Sequence, residues 1–62
     1  MNEKQAIESV RVYNESLKYY VHRWQESMLN RDSKLMECYA KEMTRIKGRI
    51  QMVKNKYPEY FL

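Results

Sequence analysis

The 62 residues include one cysteine, one glycine and one proline, and each scarcity excludes something. A lone Cys38 cannot close an intrachain disulfide, and the paired Cys/His spacing of a structural zinc site is missing. A single thiol fits a reducing compartment, so the cytoplasm is the expected location. With Gly48 as the only glycine there is no phosphate-cradling loop. No run approaches the ~18 continuous apolar residues of a membrane span, and no apolar N-terminal segment of secretory type precedes the rest. One glycine, one proline and 44% hydrophobic residues together argue against disorder and for helix.

Acid is missing locally as well. Between Met43 and Pro58 stand Arg45, Lys47, Arg49, Lys54 and Lys56 with no Asp or Glu. The net charge of +4 therefore sits in this one window, because the rest of the chain balances to about −1. A segment this basic is either the wet flank of a helix or a surface for an anionic partner.

What is present is periodic. Asn2, Glu3 and Gln5 read as a helix start, with a capping side chain, an acid in the first turn and Gln at the capping-box position. Apolar residues then recur at Ala6, Ile7, Val10, Tyr13, Leu17, Tyr20, Val21, Trp24 and Met28, in steps of three and four. Asn30-Arg31-Asp32-Ser33 interrupts the pattern, and Asp32 or Ser33 can cap a second helix. The second stripe runs Met36, Tyr39, Met43, Ile46, Ile50 and Val53 to Tyr57, where Pro58 forces the helix to end.

These signals predict one all-α domain over 1–62: a helix at about 3–29, a turn at about 30–33, a helix at about 34–56 and a short apolar tail at 57–62. An antiparallel hairpin is the expected architecture. One long continuous helix in a coiled coil is the alternative, because the stripes are nearly in phase and the turn lacks the usual glycine. Val10, Tyr13, Leu17, Tyr20, Trp24, Met36, Tyr39, Met43, Ile46, Ile50 and Val53 form the expected core. Ile7, Val21 and Met28 widen the apolar arc of the first helix beyond what one partner helix covers. A chain this short buries only ~60% of its unfolded surface. We therefore expect two hairpins to pair as a four-helix bundle homodimer, or one hairpin to complete its core on a larger protein.

No catalytic constellation is visible, and neither an enzyme nor a metal or cofactor site is expected. His22 and Glu26 stand one turn apart but lack a third ligand, and read as a solvated pair. Cys38, one step off the seam, reads as a small half-buried residue, with a cross-dimer disulfide as a minor alternative.

The expected role is binding, as a small regulator or inhibitor of the kind bacteria and their phages encode. Its candidate partner surface has three parts: Val12, Tyr19 and Arg23; Met52; and the tail Tyr60, Phe61 and Leu62. The tail can equally fold back over the open end of the bundle. The alternative is non-specific RNA or DNA binding through Arg45, Lys47, Arg49, Lys54 and Lys56, joined by Lys4 and Arg11 from the start of the first helix. Acids facing these bases across the seam are not found, so the basic flanks are expected to be unpaired. A membrane-surface role is not expected, since each helix has an apolar partner within the chain.

Overall fold

The first helix begins where side chains can satisfy its free amides. In the computed structural model, which describes residues 2–62, the Asn2 side chain accepts a hydrogen bond from the Gln5 amide at 2.8 Å. The Gln5 side chain accepts in return from the Asn2 amide at 3.2 Å, completing a capping box. Helix α1 then runs Glu3–Leu29. Helix α2 runs Ser33–Lys56 and lies antiparallel against it, and a single 3-10 turn, Pro58–Tyr60, follows. Among the described residues there is no strand.

The turn settles the choice between a hairpin and a continuous helix. The Arg31 amide donates to the Met28 carbonyl at 3.1 Å and the Asp32 amide to the Ser27 carbonyl at 2.9 Å. These are the two bonds of a Schellman ending, and the residue between them must adopt a left-handed conformation. Arg31 takes it, with φ 56°, in place of the glycine normally found there. The Asp32 side chain then accepts from the Leu35 amide at 3.2 Å and opens α2. Ser33, expected in the turn, is thus the first residue of α2. At the far end Tyr57 leaves the helical region, at φ −129° and ψ 59°, as the following proline requires.

The core is small. Ala6, Val10, Ile46 and Ile50 are the buried apolar residues, and Tyr13, Leu17, Tyr20, Val53 and Phe61 pack half-buried against that cluster. Trp24, Met36, Tyr39 and Met43, expected on the same seam, are half-buried as well. Toward the turn, Ser27 is 4% exposed, and its hydroxyl donates to the Arg23 carbonyl at 2.9 Å, so no polar group is stranded. Cys38 does not take the half-buried place expected for it. It lies exposed, because its position on α2 turns it toward the solvent edge of the seam.

The resulting rod measures 42 × 17 × 15 Å. It exposes 5032 Å². A compact monomer of its mass, 7.7 kDa, exposes about 4300 Å². The surplus follows from the elongated shape, since two helices side by side cannot enclose all the side chains they carry.

Candidate docking faces of the hairpin

The seam of the hairpin has two sides, and they differ in chemistry. On the first, Tyr13, Ser16 and Tyr20 of α1 border a groove with Glu42, Arg45, Ile46 and Arg49 of α2. Toward the turn a second groove continues with Arg23, Ser27, Leu35 and Tyr39. Tyrosine rings line this side in series. Tyr19 meets Tyr20 edge-on at 5.2 Å, and Tyr20 lies 6.1 Å from Tyr39 at a tilt of 43°. The Arg23 guanidinium sits 6.0 Å over the Tyr19 ring, and the neighbouring Tyr39 hydroxyl, Tyr19 and Glu26 hold its proton more tightly than usual.

The second side is apolar. At ~100° per residue, Ile7, Val21 and Met28 of α1 project to the opposite flank of the seam from Ser9, Ser16 and Arg23. Met36 and Met43 of α2 lie on that flank too, opposite Arg45 and Arg49. Ile7 is 44% exposed and Met28 45%, while Val21, Met36 and Met43 are half-buried. Trp24, half-buried, sits at the middle of the α1 seam between the two sides, next to Val21 and Met28 of this strip.

The five bases of the acid-free window divide between the two sides. Arg45 and Arg49 border the tyrosine groove, and Lys56 lies near them beside Met52 and Tyr57. Lys47 and Lys54 project from the other flank of α2, about half a turn away. Lys4 and Arg11 of α1 have the phase of the apolar strip and so stand with Lys47 and Lys54, not with the arginines.

Some of these bases have acid partners within their own helix. Arg45 meets Glu42 at 3.3 Å. Arg11 is clamped between Glu8 and Glu15, with its Nε donating to Glu8 at 3.1 Å and Nη1 to Glu15 at 2.9 Å. The Arg11 guanidinium holds the Glu8 carboxyl below the usual carboxylate range. The expectation of unpaired flanks therefore fails for Arg45 and Arg11. Among the described residues Lys4, Lys18, Lys47, Arg49, Lys54 and Lys56 have no ion pair.

The residues expected to form one partner surface are dispersed. Val12 stands beside Ser9 and Tyr13 at one rim of the tyrosine side, and Met52, 72% exposed, stands on α2 beside Val53 and Lys56. Tyr19 is exposed under Arg23, farther along α1. The tail folds back. Phe61 packs on the Val10–Ile46–Ile50 cluster with the Lys54 ammonium 6.0 Å over its ring, and Tyr60 stacks on Tyr57 at 5.5 Å. Leu62 alone of the tail is fully open.

His22 and Glu26 form an exposed pair, 2.8 Å apart. Among the described residues no group of three potential metal ligands comes together. Among the described residues no helix is long and apolar enough to cross a membrane. In comparisons with known proteins, no family model, no curated protein and no solved structure matches the chain.

Proposed function

We propose that this chain is a small non-enzymatic regulator or inhibitor that acts by protein–protein docking. The carrying observation is the apolar strip left open beside a core of four buried residues, where Ile7 and Met28 stay exposed and Val21, Trp24, Met36 and Met43 half-open. Apolar side chains left open beside so small a core mark interaction sites in small proteins. Two kinds of cover complete the core: a second copy, giving a four-helix bundle homodimer, or a segment of a larger protein.

The test is a pull-down of the tagged chain from lysate of its source, with and without nuclease, beside the double variant M28K/M36K. Retention of one protein after nuclease, lost in the variant, supports docking through the strip. Material that disappears with nuclease and is unaffected by the variant overturns it.

A second reading, non-specific RNA or DNA binding, is favoured by one feature: Arg45 and Arg49 overhang a groove walled by Tyr13 and Tyr20. Glu42 lies in the same groove and pairs with Arg45, and Lys47 and Lys54 project from the other flank of α2. Replacing Arg45 and Arg49 with Glu separates the readings. Loss of a salt-sensitive oligonucleotide affinity supports nucleic acid, and an unchanged one removes it.

A further inference from the structure

The open strip has charged rims, and the rims carry one sign. On α1 its outer edge is Lys4, Arg11 and Lys18; on α2 it is Lys47 and Lys54. Arg11 is neutralised by Glu8 and Glu15, whereas the four lysines are exposed and without ion pairs among the described residues. Glu3, in the first turn of α1, is the one acid of either helix at the phase of the strip. The surface is thus an apolar seam between two helices whose open half, from Lys18 and Lys47 at mid-length to Lys4 and Lys54, is rimmed by free ammonium groups, while the turn half carries the methionines.

We propose that this surface receives an acidic amphipathic helix of another protein. The inference rests on the docking function above and gives its partner a chemistry. A third helix laid along the seam would place its apolar stripe on Val21, Trp24, Met28, Met36 and Met43 in the turn half and the carboxylates of its remaining length against Lys18, Lys47 and Lys54. Methionines supply three of those five contacts, and their unbranched, polarisable side chains adapt to an incoming helix.

A second copy fits less well. Both edges of the strip are basic, so pairing strip to strip brings lysine rims together whichever helix of one copy lies against the other. Like charges facing across an interface oppose association. A lipid surface also fits less well. Interfacial insertion requires apolar side chains that reach well below the level of the charged groups. Here Val21, Trp24, Met36 and Met43 are half-sunk between the helices, while the lysines stand fully out.

The experiment uses the full chain and two synthetic helical peptides of about 20 residues, enough to run ~30 Å along the seam. Both carry the same leucine stripe. One is flanked by Glu and the other by Lys. Trp24 is the only tryptophan and reports from the site itself. The expected result is a blue shift of Trp24 emission with the Glu-flanked peptide and an affinity at least about tenfold above that of its Lys-flanked twin, falling with added salt. The double variant K18E/K47E, exposed sites whose helicity circular dichroism verifies, should reverse that preference.

Equal binding of the two peptides overturns the inference. So does a mass that doubles at micromolar concentration with the same Trp24 shift, which assigns the strip to a second copy. A shift seen with phosphatidylserine vesicles but with neither peptide assigns it to lipid. If neither peptide binds while M28K/M36K still abolishes capture of a protein partner, docking stands and the acidic helix falls. If M28K/M36K changes nothing, both fall together.

Discussion

The Asp32 amide reaches back to the Ser27 carbonyl at 2.9 Å, and with that bond the chain reverses direction. It closes over Arg31, whose φ of 56° is one that an L side chain adopts at a cost of about 1–2 kcal/mol. Packing of α2 on α1 offsets that cost. Removing the Cβ removes it directly, while glycine also gives the unfolded chain more freedom to lose. R31G is therefore expected to stabilise the hairpin by about 0.5–1 kcal/mol. Urea unfolding followed by helicity would measure it. A loss of stability would mean that the Arg31 side chain contributes more than its backbone costs.

Glycine is missing at Arg31 and present at Gly48, inside α2, where no turn needs it. A Cβ built on Gly48 meets nothing within 4 Å. G48A should then stabilise by about 0.8–1 kcal/mol, the ordinary difference between these residues in an exposed helix. The two sites, one in the turn and one inside α2, stand far apart and share no partner, so R31G and G48A should add within ~0.5 kcal/mol. Strong non-additivity would show that α2 shifts against α1 when its centre stiffens.

The same contrast explains what could be read from the sequence. Asn2, Gln5, Asp32 and Pro58 act on the nearest few residues of backbone, and such signals locate helix ends directly. The reversal at Arg31 was not legible in that way, because nothing about an arginine announces a left-handed conformation; only packing against α1 rewards it. The apolar steps of three and four placed Val10, Ile46 and Ile50 correctly, but periodicity does not say how deeply a seam is covered. It could not separate them from Trp24 or Met43. Nor did it single out Ser27, buried because a small residue lies where α2 begins to pack. The acids that meet Arg11 and Arg45 stand three or four residues away on the same helix and not across the seam. That spacing was the available signal.

Glu8 carries a pH dependence with a definite sign. Its folded carboxyl titrates below the ordinary value of 4.5 because Arg11 donates to it and holds a positive charge beside it. A group lowered on folding contributes stability that is present above its unfolded pKa and is lost as pH falls through the folded one. E8Q should therefore melt slightly below the native chain at pH 7, with the gap closing as acid is added below about pH 4.5. Both groups are solvent-exposed, so salt should shrink the gap at pH 7 as well. A gap that persists at pH 3 would attribute the effect of E8Q to something other than the carboxylate charge.

Trp24 is half-buried in the hairpin yet lies outside the group packed on the Val10–Ile46–Ile50 cluster. Its ring still withdraws most of its area from water, so W24A should cost about 3 kcal/mol, the low end for an aromatic core truncation. In a domain of this size that is a large share of the total stability. A change under ~0.5 kcal/mol would instead place the ring on an open face, as for surface substitutions generally. The conservative W24F separates folding from docking. It keeps most of the buried ring and should leave the isolated chain within about 1.5 kcal/mol of native stability. If the ring's open edge is also part of the docking surface, W24F should weaken capture of a strip-bound partner while helicity stays unchanged. Unaltered capture would confine Trp24 to holding the two helices together.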